Sequence, residues 1–150
     1  MTRQSHSDVS IAMTVHNGEA CLGAQLASIA AQSLHHEELV VADDASTDRS
    51  AALIEALDGR TRLIRITDGH GTNRAVEKVL DQVTCSLIAL CDHDDVWQPE
   101  KLATLAACFA DPDVVLAFSD ARLIDEKGKL LPDTLWRRRG LTSKRLRRLN

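Results

Sequence analysis

Five short β-favouring runs, separated by stretches with helical spacing, set the tightest limit on what this chain can fold into. They are Val9–Thr14 (VSIAMT), Leu39–Ala42 (LVVA), Leu63–Ile66 (LIRI), Leu87–Cys91 (LIALC) and Val114–Phe118 (VVLAF). Between the first two, Ala20–Gln32 carries Leu22, Leu26, Ile29 and Ala30 near helical spacing. Ser46 or Asp48 can cap a helix over Ser50–Leu57, and Thr72 or Asn73 one that runs to Val83. Pro99 suits a first helical position and Glu100 the positive helix start, which predicts a helix ending near Phe109. Strand and helix therefore alternate through five strands, the pattern of an α/β fold with a mainly parallel sheet. Nearly continuous apolar strands fit a sheet covered on both faces. Ala121–Leu131 reads as a hairpin turning at Lys127-Gly128-Lys129.

The chain's 150 residues suit one domain. Hydrophobic residues make up 44% but aromatics only 3%, so the core must be aliphatic. The net charge of −4 is unevenly placed. Seven of the 18 Lys and Arg lie between Arg137 and Arg148, leaving 11 against 22 acids elsewhere. An acidic body argues against nucleic acid as a partner. The basic end is either a solvated tail or a contact for an anionic membrane surface. Cys21, Cys85, Cys91 and Cys108 show no CxxC spacing, so neither a zinc site nor a redox motif is indicated. Met1–Asp8 is polar with no apolar run of signal-peptide type after it. No stretch approaches the roughly 20 residues of a membrane span. The expectation is a soluble, cytoplasmic chain in a reducing compartment, at most touching the inner face of the cell membrane.

In an open α/β sheet, ligands bind beyond the carboxyl ends of the strands. Two acidic clusters fall there. Asp43-Asp44 closes the second strand, and Asp92, Asp94 and Asp95 follow the fourth. In an extended segment Asp92 and Asp94 point to the same side. Two converging carboxylates suit a hard divalent cation such as Mg²⁺, which commonly also holds phosphate oxygens. The plain alternative is that Asp95 caps the next helix and its neighbours are incidental. For Asp43-Asp44 the plain alternative is a turn; the functional one is a carboxylate accepting hydrogen bonds from a base or ribose. Gly69-His70-Gly71 and Asn17-Gly18 match neither a dinucleotide-binding nor a P-loop pattern. A metal or basic side chains must then handle any phosphate. His16, His70 and His93 sit in predicted loops at that edge, and strand alternation predicts that His93 points away from Asp92 and Asp94. Trp97 is expected to anchor its loop by packing.

Taken together, VSIAMTVHNGEACLGAQLASIAAQS, LVVADDASTD and ALCDHDDVWQPEKL resemble, in order and spacing, a family 2 glycosyltransferase of the GT-A fold. AFSDARLIDEKGKLL resembles the following stretch of bacterial rhamnosyltransferase-like members. The resemblance covers Val9 to Leu135. It implies inverting transfer of a sugar from a nucleotide diphosphate donor, a dTDP- or UDP-sugar, to a glycan or lipid-linked acceptor in cell-surface polysaccharide synthesis. It implies Mg²⁺ or Mn²⁺ as cofactor. Residue by residue, Thr14 and His16 lie in the loop that contacts the donor base, with His16 where the family usually has tyrosine. Asp44 matches the acid that hydrogen-bonds the base, and Asp43 supports its loop. Arg74 lies near a basic position that approaches the donor. Asp92 matches the first acid of the DxD motif, near ribose and metal, and Asp94 the direct metal ligand.

The family's general base lies on a later segment, and no acid up to Asn150 matches its motif, so the base is expected beyond this chain. Residues 1–136 are read as the nucleotide-sugar-binding domain and 137–150 as a basic tail or connector. Two alternatives stand beside the enzyme. One is a module that binds nucleotide-sugar without transfer. The other is a Mg²⁺-binding phospho-acceptor receiver domain, which would want its acidic pair after the first strand.

Overall fold

The computed structural model describes residues 8–57, 59–69 and 71–141. They form two compact units that divide after Ala107. In the first, the predicted alternation is realised as β1 (Val9–Val15), α1 (Glu19–Ala30), β2 (Glu38–Asp44), α2 (Ser50–Glu55), β3 (Thr61–Ile66), α3 (Thr72–Leu80), β4 (Leu87–Asp92) and α4 (Lys101–Ala107). The four strands make one parallel sheet in the order β3-β2-β1-β4. The amino-terminal strand is therefore central, and the chain reverses its direction of travel across the sheet between β3 and β4. That reversal opens a crevice at the carboxyl ends of β1, β2 and β4.

Alternation along β1 sends its side chains to both faces, and all seven residues are buried. Val9, Ile11, Met13 and Val15 join Leu22 and Ile29 of α1, Ile54 of α2, Leu102 of α4 and Trp97 in one cluster. Fully burying an aliphatic side chain such as Leu22 or Ile54 contributes roughly 1.5–3 kcal/mol. On the other face Ala12, Val40 and Ala42 meet Ala75 and Val79 of α3, with Ile66. The small residues let that helix lie close to the sheet. Both faces are thus covered over β1 and β2, as continuous apolar strands require. On β4 the cover is one-sided: Ile88 is 44% and Leu90 61% exposed.

Local expectations give way at two helix starts. Thr72 and Asn73 do not cap α3. Gly71 does, at φ 83° and ψ 163°, a left-handed backbone that glycine adopts without strain. Asp95 does not cap α4 and Pro99 does not take its first position, because that helix begins only at Lys101.

The second unit holds a short antiparallel pair, β5 (Arg122–Ile124) and β6 (Leu130–Thr134), followed by the four-residue α5 (Leu135–Arg138). The turn falls where expected. Gly128 is at φ 76°, and Asp125 Oδ1 accepts from the amides of Lys127 and Lys129, both at 2.9 Å. The predicted fifth strand does not form. Val114–Phe118 has no ladder partner among the described residues, and Val115, Leu116 and Phe118 are 90%, 71% and 54% exposed. A β-favouring run becomes a strand only when a neighbour takes up its backbone groups. Residues 142–150, and with them most of the basic tail, lie outside the described residues, as does His70.

Candidate nucleotide-sugar site

The strand register builds the site. Thr14 lies opposite Ala42 on β2 and Asp92 on β4, and Val15 lies opposite Asp43. The three strand ends, with α3, border a cavity of about 300 Å³. Thr14, Val15 and His16 line it from β1, Asp44 from β2, Asp92, His93 and Asp94 from β4, and Thr72 and Ala75 from α3. A second hollow of about 290 Å³ lies where β2 and β3 begin, and the described residues that line it include no carboxylate.

The β1–α1 and β2–α2 loops are laced to each other. Asn17 N–H donates to Ser46 Oγ at 2.9 Å, and Gly18 N–H to Ser50 Oγ at 2.8 Å. Glu19 N–H donates to Asp48 Oδ2, and Ser50 N–H to Asp48 Oδ1, each at 2.9 Å. Asp48 therefore serves both helix starts at once. Asp43 is buried and accepts from Ser46 N–H at 3.1 Å, a bond within the β2–α2 loop. Asp44, 8% exposed, accepts from Gly71 N–H through Oδ2 at 2.9 Å. The His16 ring is 2.6 Å from the Asp44 carbonyl oxygen through Nδ1.

Asp92 and Asp94 are both exposed and share the cavity wall. Removal of water from Asp95 pushes its carboxyl pKa up, Lys101 pulls it back, and the charges of Asp92 and Asp94 push it further up. Lys101 itself sits 4.5 Å over the Trp97 ring, and that ring is 4% exposed, so the loop is anchored as expected. Among the described residues no three His, Cys, Asp or Glu side chains converge at metal-ligand spacing. A hard cation does not need three from the protein: one or two carboxylates suffice when phosphate oxygens and water complete the shell. Asp92 and Asp94 fit that donor set.

The cavity also contains residues that spacing did not single out. His93 lines it beside Asp92 and Asp94, because β4 ends at Asp92 and strand alternation stops there. Gly18 makes room for that ring: a Cβ on it would meet His93 Cδ2 at 2.4 Å and Val15 Cγ2 at 2.8 Å. Thr72 and Ala75 enter from the first turn of α3. Arg74, on the same turn, is exposed and is not part of the lining. Behind the site Cys91 is buried, and burial pushes its thiol up to about 12, although Gln25 Nε2 donates to Sγ at 2.7 Å.

Residues 10–150 match the sequence profile of Glycosyl transferase family 2. The chain belongs to this family. The parallel sheet with its flanking helices is accordingly of the GT-A type, and the match displaces the receiver-domain alternative. The Mycobacterium tuberculosis protein MT1568 is 33% identical over 143 residues, 94% of this chain and 43% of that one. The Escherichia coli protein WfgD, a UDP-Glc:alpha-D-GlcNAc-diphosphoundecaprenol beta-1,3-glucosyltransferase, is 27% identical over 78% of this chain and 47% of its own. Among solved structures, Staphylococcus aureus TarS 1-349 in complex with UDP superposes with a TM-score of 0.62 at 25% identity, over 69% of this chain and 32% of that one. This family member spans between 14% and 49% of the length of the curated relatives it matches. Among the described residues no helix is long and apolar enough to cross a membrane.

Proposed function

We propose that this chain is the donor-binding part of an inverting glycosyltransferase that takes its sugar from a dTDP- or UDP-sugar and serves cell-surface polysaccharide synthesis on the cytoplasmic side. The observation that carries the reading is the convergence of Asp44, Asp92 and Asp94 on one cavity at the carboxyl edge of a parallel sheet. Residues 1–136 form the nucleotide-sugar-binding domain in this reading, and 137–150 a basic connector able to touch an anionic membrane. Support comes from TarS, solved with UDP and with UDP-GlcNAc, and from WfgD, whose name gives UDP-Glc as donor and a diphosphoundecaprenol-linked acceptor.

In the assignment, Asp44 accepts the N3–H of a uracil or thymine, with Thr14 and His16 bordering the base. Asp92 faces ribose and metal, Asp94 is the metal ligand, and Arg74 reaches the donor from the first turn of α3. Mg²⁺ or Mn²⁺ held there would neutralise the diphosphate as charge develops on it. The acceptor hydroxyl, giving its proton to a base outside this chain, would attack the anomeric carbon as the bond to the diphosphate breaks and the nucleoside diphosphate leaves, so the configuration inverts.

The general base is not assigned to Asp120, Asp125 or Asp133 of the second unit. Asp120 accepts from the amides of Ala121 and Trp136, Asp125 from Lys127 and Lys129, and Asp133 from Thr134. Each of these carboxylates already holds a turn or a helix start.

Calorimetric titration of UDP, dTDP, GDP and ADP, with Mg²⁺ and with chelator, tests the reading. It expects pyrimidine nucleotides to bind more tightly than purine ones, and metal to tighten them. Equal affinity for all four bases would remove Asp44 from base recognition, and indifference to chelator would remove the cation.

A further inference from the structure

Hydrogen-bond types in the β1–α1 loop determine one another. Thr47 N–H can only donate, and it lies 2.9 Å from Asn17 Oδ1, which Thr47 Oγ1 also reaches at 3.2 Å. The oxygen of the Asn17 amide therefore faces Thr47, and its nitrogen faces His16. Asn17 Nδ2 is 3.1 Å from His16 Nε2 and can only donate, so Nε2 accepts. At the other side of the ring the Asp44 carbonyl can only accept, so Nδ1, at 2.6 Å, carries the proton. The two sides of the imidazole, argued separately, give the same neutral Nδ1–H tautomer.

The ring so held is exposed and lines the cavity, so it is not a core residue being satisfied. Asn17 itself sits at φ 48°, a left-handed backbone unusual for any residue but glycine and least so for asparagine. The chain thus keeps an amide, in a strained place, whose side chain reaches from one loop to a ring on the cavity and to the facing loop.

We propose that Asn17 is a positioning residue of the nucleotide site: through Nδ2 it fixes the tautomer and plane of the His16 imidazole, and through Oδ1 it locks that ring's loop to the loop that follows Asp44. The inference rests on the nucleotide-sugar reading and divides the site in two. A base-reading half, His16 and Asp44, is set by the laced loops of β1 and β2. A metal half, Asp92 and Asp94, is set by β4 and is independent of Asn17.

The test variant is Asn17→Gly, which accepts the same φ and removes only the side chain. Nitrogen-15 spectra of the His16 ring should show a protonated Nδ1 and an accepting Nε2 in the parent, and a shift towards the Nε2–H form, which unrestrained histidine favours, in the variant. UDP affinity should fall about three- to tenfold, the loss of one or two neutral hydrogen bonds' worth of order. The factor by which Mg²⁺ tightens UDP, and the affinity for pyrophosphate with Mg²⁺, should not change. A variant that lost binding through general damage would lose these too. An unchanged His16 tautomer, or a UDP loss matched by an equal pyrophosphate loss, would overturn the inference. If the parent binds no nucleotide while its ring is held as described, the nucleotide-sugar reading is what fails, and the site role assigned to Asn17 falls with it.

Discussion

Replacing Asp44 by asparagine separates the bond that the structure shows from the base contact that the proposed function adds. Oδ2 accepts from Gly71 N–H at 2.9 Å and so holds the start of α3. In Asp44→Asn the amide oxygen keeps that bond, which leaves the NH₂ group where the reading places the second carboxylate oxygen. A donor then faces the uracil N3–H, itself a donor. A hydrogen bond to a charged group is worth roughly 1.5–3 kcal/mol, so UDP should bind about 10- to 150-fold more weakly. Cytosine presents an acceptor at N3, so CDP should lose much less, and the UDP-to-CDP preference should narrow or invert. Asp44→Ala removes both contacts. Besides losing UDP, it removes the acceptor of Gly71 N–H, at the cost of a typical hydrogen bond, about 0.5–1.5 kcal/mol in stability. Calorimetry with UDP and CDP gives the first pair of numbers, and urea denaturation the second. If the asparagine variant weakens UDP and CDP equally, or the alanine variant is as stable as the asparagine one, the division of labour between the oxygens is wrong.

Asp94→Asn should abolish the Mg²⁺- or Mn²⁺-dependent gain in UDP affinity while leaving the urea midpoint nearly unchanged, since its carboxylate is exposed and holds no part of the core. Gly18→Ala should destabilise the fold by about 1–3 kcal/mol in urea denaturation, because the new Cβ meets His93 at 2.4 Å and the buried Val15 at 2.8 Å. Alkylation at pH 8 followed by mass spectrometry should label the exposed Cys21 and Cys108 and spare Cys91. With its thiol pushed up to about 12, Cys91 supplies almost no thiolate at that pH until the chain unfolds.

The four-stranded sheet is legible in the sequence because each strand is a short apolar run stopped by a polar pair, and both faces of β1 and β2 are in fact covered. Val114–Phe118 carries the same signal and fails, since pairing depends on a neighbour that residue type cannot report. The acids of the site are legible because strand ends are fixed points. His93 is not, because β4 ends at Asp92 and alternation has no hold on the next residue. Thr72 has the residue type of a cap, whereas Gly71 turns the chain and delivers Thr72 to the cavity. Asn17-Gly18 reads as a breaker, which it is; its grip on Thr47 spans 30 positions and leaves no local trace.

The position of β4 at the sheet edge has a consequence for how the site persists in time. Thr14 meets Ala42 across a loop of 28 residues and Asp92 across one of 78. Closing the longer loop costs about 0.9 kcal/mol more in chain entropy. Among the described residues the strand that closes it is hydrogen-bonded on one side only, and it leaves Ile88 and Leu90 exposed. Amide exchange should accordingly be faster along Leu87–Asp92 than along β1 and β2. If the proposed roles hold, each opening of β4 should carry Asp92 away from Thr14 while the His16–Asp44 contact is kept, so metal-dependent binding should be lost before base binding as exchange quickens.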